Sequence, residues 1–359
     1  MSNIVVYNNN IADYGDPSPT GTDDVGIYNG YHTENVWVVD NEVTNVGADG
    51  VAGSHYSNDT TMKTERYFIG RNKLYQNGEN GIDIKAIRYL VISENEIFGP
   101  FTREQGWGIV LHSGASPAFP TRDCWVINNK IYHGSGGIYV TSANGALNIS
   151  MVGNLIYDVK ADYGFVKDPL NVKAILYRSQ WQGTAMVVNN TCYDYESGIV
   201  MDAVLDSNTV FIHGNILSGR SDPAGYDLSI PRNLDEIRVT SNFNHYDASP
   251  RFRFAGNDRN ISFLRGAGKE LNAVLGSPGF VNAPADFSLL STSACVGANV
   301  EGPVGNSAFE AFTAVFGTQI RRDFLGRTRP LDGSWDMGAF EFTPPNRPAA
   351  PRNLRVVGP

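Results

Sequence analysis

The chain has little of what several common protein classes depend on. Its 359 residues include three cysteines, Cys124, Cys192 and Cys295, which are too few for a disulfide framework. No apolar run approaches the roughly 18 residues of a membrane span, so we expect no transmembrane segment. The net charge is −9 and no basic cluster offsets it, which argues against nucleic-acid binding. The spacings of phosphate loops and of Cys/His zinc sites are also missing.

What the chain has in quantity is glycine, with 38 residues, and an internal repeat. In each repeat a short apolar strand is followed by Asn and a further apolar pair, and a Gly then opens a second strand, as at 81–85 and 198–202. Such strands are too short for helices and lack a 3.6-residue period, so we predict an all-β, right-handed parallel β-helix. Asn suits the bends between strands, and stacked Asn side chains can bond to one another, which favours a structural role. The recurring residues are Asn41, Asn72, Asn95, Asn129, Asn154, Asn190 and Asn215.

The repeats also set the predicted domain boundaries. Residues 1–245 are assigned to the coils, and because I-V-V-Y-N-N-N-I (4–11) already has the coil pattern, we expect further sequence upstream. Residues 246–342 are assigned to terminal coils and a C-terminal capping segment, which a solenoid needs at its open end. Residues 343–359 begin with a proline-rich linker, and R-N-L-R-V-V-G-P (352–359) resembles the first strand of a fibronectin type III module.

The capping segment carries a more specific resemblance. G-S-P-G-F-V-N-A-P-A-D-F-S-L-L-S-T-S-A-C-V-G-A (276–298) precedes R-R-D-F-L-G-R-T-R-P-L-D-G-S-W-D-M-G-A-F-E-F (321–342). Together they resemble the closing segment of bacterial secreted β-helix proteins of the polysaccharide-lyase-like group, the pectate lyase superfamily. Gly276-Ser277 departs from that pattern, where Asp is commoner before the proline. The resemblance implies a secreted or cell-surface protein with a polysaccharide substrate, but the group contains both lyases and hydrolases.

Candidate catalytic residues follow from aligning the second strands on their Gly. Alternate strand residues share a face, so the second and fourth positions should point into the core, and the fifth positions should form one outward stripe. The core set is Ile82, Ile84, Ile109, Leu111, Ile138, Val140, Ile199 and Met201, and the stripe contains Lys85, His112, Thr141, Arg178 and Asp202.

That stripe suits β-elimination on a uronic-acid polymer, which needs a cation beside the substrate carboxylate and a base for the adjacent proton. We predict Lys85 or His112 as the base and Arg178 as the cation. The alternative is that these polar residues only solvate an exposed face. Sugar contacts are predicted at His55, Tyr56, Trp107, Tyr139, Trp181 and Asp202, several of them in or next to long loops.

A second constellation suggests calcium. G-A-D-G-V (47–51) and G-E-N-G-I-D (78–83) resemble the calcium-binding turns of one pectate lyase family, which implies oxygen ligands from Asp49, Glu79, Asn80 and Asp83. Two departures matter: Glu-Asn replaces the family's Asp pair, and the family's catalytic Lys falls at Val110. The alternative is that these residues are ordinary turn formers.

The predicted function is therefore a monomeric, polysaccharide-active β-helix, with lyase action on an acidic polysaccharide as the first hypothesis. A glycoside hydrolase of the same fold is the second, although no Asp pair lies on the coil next to His133-Gly134 or His213-Gly214. A non-catalytic glycan-binding or adhesion solenoid is the third, because fold alone does not decide function.

Overall fold

The computed structural model describes residues 1–18, 21–30, 32–54, 64–99, 101, 106–112, 121–142, 148–163, 172–179, 183–202, 209–230, 238–299 and 303–344. These residues form three long parallel sheets in which each strand pairs with the equivalent strand of the next coil. The chain is a parallel β-helix, as the repeat predicts. None of its described helices is long and apolar enough to cross a membrane.

The strands are numbered in order along the chain, and every third one belongs to the same sheet. The first sheet contains β1 (Ser2–Tyr7), β4 (Glu34–Val39), β7 (Glu65–Gly70), β10 (Arg88–Ser93), β13 (Arg122–Ile127), β16 (Asn148–Val152), β19 (Thr184–Val188), β22 (Thr209–His213) and β25 (Arg238–Asn242). The second contains β2 (Asn10–Tyr14), β5 (Glu42–Val46), β8 (Lys73–Tyr75), β11 (Glu96–Phe98), β14 (Lys130–Gly134), β17 (Leu155–Val159), β20 (Thr191–Tyr195), β23 (Ile216–Ser218), β26 (His245–Tyr246) and β29 (Val274–Leu275).

The third sheet carries the predicted catalytic stripe. It contains β3 (Ile27–Asn29), β6 (Val51–Ser54), β9 (Ile82–Lys85), β12 (Trp107–His112), β15 (Gly136–Ser142), β18 (Ile175–Ser179), β21 (Ile199–Asp202), β24 (Leu228–Ile230), β27 (Phe252–Phe254) and, antiparallel at its edge, β28 (Asn257–Arg259). The remaining elements are a 3-10 turn (Ala161–Tyr163), α1 (Ile261–Gly266), the antiparallel pair β30 (Phe280–Asn282) and β31 (Asp286–Leu289), and α2 (Pro303–Phe316).

The core runs lengthwise between the three sheets. All eight side chains that the Gly alignment assigns to the interior are at most 1% exposed, and they belong to one continuous apolar cluster. The strand register is thus confirmed, because a slip of one residue would turn this whole set outward. Cys124, Cys192 and Cys295 are buried free thiols.

The recurring Asn residues form a hydrogen-bonded ladder between the first and second sheets. The backbone N–H and the side-chain amide of Asn41 both donate to Oδ1 of Asn72, at 3.0 and 2.9 Å. The other amide hydrogen reaches a backbone carbonyl, as from Asn72 to Val38 at 2.8 Å. The same geometry continues through Asn95, Asn129, Asn154, Asn190, Asn215 and Asn244. The structural role predicted for this column is confirmed.

The predicted segment of terminal coils and cap, residues 246–342, lies in two places. Its helix α1 packs at the end of the core, where Leu264 is fully buried in the core cluster. Its last part, α2 and the residues up to 342, packs along the side of the solenoid, because the first and second sheets have apolar outer residues there. The contacts include Trp125 Nε1 donating to the carbonyl of Ala308, Asn128 to that of Asp323, and Asn189 to that of Asp336.

Candidate functional site

The third sheet brings the predicted catalytic stripe together in the predicted register. Lys85 lies opposite His112 on the neighbouring strand, and Arg178 lies between Thr141 and Asp202. Neighbouring strands are about 4.8 Å apart, so Arg178 is about 10 Å along the sheet from His112 and about 14 Å from Lys85. Lys85 and His112 can therefore act on one sugar unit, whereas Arg178 addresses a neighbouring unit.

Asp83 is the centre of the most unusual side-chain cluster on this face. It precedes Lys85 by two residues, so both side chains leave the same side of β9. Its carboxylate contacts Lys85 Nζ at 2.6 Å and His112 Nε2 at 3.3 Å. The carboxylate is buried, with a side chain 5% exposed, and Oδ1 has no hydrogen-bond partner among the described residues. Burying a charge is costly unless it is paired, so the ion pair with Lys85 stabilises the buried carboxylate of Asp83.

The environment of His112 favours the neutral imidazole. Burial lowers the pKa of His112 below 6.5 and the charge of Lys85 lowers it further, while the charge of Asp83 opposes both. Nε2 lies 3.3 Å from Asp83 Oδ1, so the Asp83 carboxylate would stabilise the imidazolium that forms when the ring accepts a proton. A neutral, oriented imidazole that keeps about a third of its side-chain surface exposed is suited to accept a proton.

Arg178 is held by its neighbours on the same face. Its Nε donates to Asp202 Oδ2 at 2.8 Å, and both side chains are 41% exposed. Tyr139 also hydrogen-bonds to Arg178. The guanidinium is therefore oriented but still open to solvent, and a cation that binds a substrate needs both. Asp202, predicted to bind sugar, serves here as the partner of Arg178.

Two of the predicted sugar-stacking residues are not presented as platforms. Trp107 and Tyr139 stack on each other with ring centroids 5.0 Å apart, and they are 1% and 9% exposed. They belong to a second apolar cluster on the outer face of the sheet, with Val110 and Leu176, so neither offers a ring face to solvent. The predicted roles of His55, Tyr56 and Trp181 lie outside the described residues.

The four predicted calcium ligands are neighbours but do not form an open cage. Asn80 donates from Nδ2 to Asp49 Oδ1 at 2.9 Å and accepts at Oδ1 from the backbone of Trp107 at 3.0 Å. Burial raises the pKa of the Asp49 carboxyl, and the charges of Asp83 and Glu79 raise it further. Within the described ranges no group of three or more His, Cys, Asp or Glu side chains has the geometry of a metal site. Calcium would require Asn80 or Lys85 to move, and it stays a prediction.

The contacts of Asp83 with Lys85 and His112 are not among the sequence predictions, which place Asp83 with the calcium ligands because of the neighbouring turn motif. The signal that could have identified the ion pair is the alternation in D-I-K (83–85), which places the carboxylate and the ammonium on one face of one strand.

Comparison with known proteins finds a structural likeness but no match in sequence. No protein-family model matches the chain, and no curated protein matches it. Among solved structures it is similar to pectate lyase Pel9A, with a TM-score of 0.48, 10% sequence identity, and coverage of 89% of this chain and 73% of that chain. Likeness at this identity concerns the path of the chain and says nothing about its chemistry.

Proposed function

We propose that this protein cleaves an acidic, uronic-acid-containing polysaccharide by β-elimination on the outer face of the third sheet. The single observation that carries the proposal is the cluster of Asp83, Lys85 and His112, in which a neutral imidazole and a cation occupy adjacent strands. Such a substrate implies that the protein works as a secreted or surface protein, and a monomer suffices for the reaction.

The reaction uses the cluster in one sequence of bond changes. Lys85 pairs with the carboxylate of the reacting sugar, which makes the C5 proton more acidic. The neutral imidazole of His112 takes that proton, the electron pair of the C–H bond forms the C4–C5 double bond, and the C4–O bond breaks. The leaving oxygen then takes the proton back from the imidazolium, so His112 ends neutral. Arg178 holds the carboxylate of a neighbouring sugar.

The test is a screen of alginate, pectate and glycosaminoglycans that follows the ultraviolet absorbance of unsaturated uronate products. His112→Gln should lower kcat by about a hundredfold or more with a much smaller change in KM, because a general base acts in the transition state. His133→Gln is the matched control, since His133 also faces a carboxylate, Asp158 at 2.9 Å, but lies on the second sheet. Equal activity of the two variants would remove His112 from the reaction.

A glycoside hydrolase is the second candidate, because one observation favours it. Asp49 combines a raised carboxyl pKa with the nearby charge of Asp83, and a protonated carboxyl beside an ionised one is the pair that glycosidases use. The same screen separates the two reactions: hydrolysis produces new reducing ends without the absorbance of a double bond. Tight binding without either product would leave the protein as a glycan-binding solenoid.

A further inference from the structure

The outward face of the third sheet does not end at Arg178. The outward residue of each later strand continues one column, with Leu176 paired to Val200, Val200 to Ser229, and Ser229 to Arg253. Asp83 lies in this same column, paired to Val110, which in turn pairs to Tyr139. Arg253 is thus on the face of the candidate site, about 14 Å beyond Arg178 and about 29 Å beyond Asp83 along the sheet.

Arg253 lies directly opposite Asp258 in the pairing of β27 with β28. The Asp258 carboxylate is already engaged elsewhere, because it contacts Arg251 at 2.8 Å and accepts from Tyr226 Oη at 3.0 Å. Arg253 is exposed and makes no ion pair within the part of the chain that the structure describes. Its guanidinium carbon lies 5.4 Å from the ring centre of Tyr226, whose ring also faces Arg251 at 4.8 Å. Stacking on an aromatic ring holds a guanidinium in place, which lowers the entropy lost when it binds an anion.

The two strands between the two arginines carry small outward residues in this column. Their outward residues in this column are Val200 and Ser229, both short and half-buried, so neither rises as a barrier between Arg178 and Arg253. Cationic side chains thus recur along one face at Lys85, Arg178 and Arg253, and two strands lie between each and the next.

We propose that Arg253 is a distal subsite that binds an acidic group, carboxylate or sulfate, of an anionic glycan lying lengthwise along the third sheet. The subsite rests on the proposed function for the identity of its ligand, but it is a binding site with its own readout. It predicts that the protein prefers long chains over short ones, because only a long chain reaches from His112 to Arg253.

The test is equilibrium binding of the full chain to alginate, polygalacturonate and heparin, each as the polymer and as its disaccharide, at low ionic strength. Arg253→Gln should weaken binding of at least one polymer about twofold to fivefold, the range expected for one exposed charge contact, and leave the disaccharide unchanged. Arg238→Gln is the matched control, since it removes the same charge from an exposed position at the same end of the solenoid but on the first sheet. Melting temperatures of both variants show whether the fold is kept.

Each outcome supports or overturns the Arg253 subsite independently of the proposed lyase reaction. Selective loss of polymer binding in Arg253→Gln without any product formation would support the subsite and overturn the lyase. Equal losses in the two arginine variants, or no polymer binding by the unmodified chain, would overturn the subsite. A matching loss of binding to single-stranded DNA would also overturn it, because Arg253 would then contact any polyanion.

Discussion

The Asn ladder and the cluster around the buried Asp83 are both polar, yet they are built on opposite principles. The ladder repeats one residue type in coil after coil, and the amide of each interior member donates to the next. The cluster combines Asp83, Lys85 and His112, occurs on one pair of coils, and leaves Asp83 Oδ1 without a described hydrogen bond. In a solenoid, a polar residue that recurs in each coil serves the fold. A polar group that occurs once and is left incompletely satisfied is where chemistry is to be sought.

The largest expected effect comes from breaking the ladder at its middle. Asn129→Ala leaves the backbone N–H and side-chain amide of Asn95 without their acceptor, and removes donation to Asn154 and to the carbonyl of Ile92. Each buried group left unpaired costs about 1–3 kcal/mol, so the free energy of unfolding should fall by about 3 kcal/mol or more.

Unfolding by guanidinium chloride measures this loss in Asn129→Ala, with Asn148→Ala as the control. Asn148 is exposed and donates to Asp123 at 2.8 Å, so its loss should cost well under about 1 kcal/mol. Similar costs for the two variants would show that stacking in the ladder is not what stabilises the coils.

The difference between the two regions also explains which features the sequence could predict. The core positions and the ladder follow a repeat, and a repeat fixes register because each coil must match the previous one. Alternation along β9 places Asp83 and Lys85 on one face, but the contact of Asp83 with His112 depends on the side-chain conformations of unlike residues, which no period encodes. The stacking of Trp107 on Tyr139 and the packing of α2 against Trp125 likewise join residues that are distant in sequence or belong to different coils.

The second prediction tests the Asp83 cluster through the pH dependence of kcat/KM. Since Asp83 raises and Lys85 lowers the pKa of His112, removing each charge should move the acidic limb of the kcat/KM profile in opposite directions. Asp83→Asn should move that limb to lower pH, and Lys85→Gln should move it to higher pH. In the unmodified protein the limb should lie below pH 6.5, the ordinary value for His. A limb that stays in place in both variants would assign the base to another group.

The third prediction concerns Glu270, the buried carboxyl group at the end of the Asn ladder. Glu270 Oε1 accepts from Asn244 Nδ2 and from Tyr246 Oη, both at 2.8 Å, and burial raises the pKa of this carboxyl despite those hydrogen bonds. A raised pKa in the folded state means that stability is complete at low pH and falls as pH rises through the folded pKa. Glu270→Gln should remove this contribution, so the variant's free energy of unfolding should depend less steeply on pH above about 4.3.

Other buried carboxyl groups shape the same pH profile, so the difference between the unmodified protein and Glu270→Gln is the quantity to measure. Asp227 and Glu341 also have raised pKa values through burial, with that of Glu341 at about 7, and they remain in both proteins. Parallel stability curves from pH 4 to pH 8 would mean that Glu270 has the same pKa in the folded and unfolded chains, which would contradict the prediction.

The smallest expected effect is that of calcium on the Asp83 region. Burial raises the pKa of Asp49, the charges of Asp83 and Glu79 raise it further, and a bound cation would relieve the repulsion among these carboxylates. At 1 mM calcium, a site with a dissociation constant of about 0.1–1 mM would stabilise the protein by about 0.4–1.4 kcal/mol. The melting temperature should therefore rise with calcium, and Asp83→Ala should abolish that rise. Asp258→Ala, which removes an exposed carboxylate at the far edge of the same sheet, should preserve it.

Because Lys85 already neutralises Asp83 at 2.6 Å, calcium must compete with an internal cation, and Lys85→Gln should strengthen the response. If calcium does not change the melting temperature of either the unmodified protein or Lys85→Gln, Lys85 is the cation of this site. Asp49 and Asn80 then have a structural role.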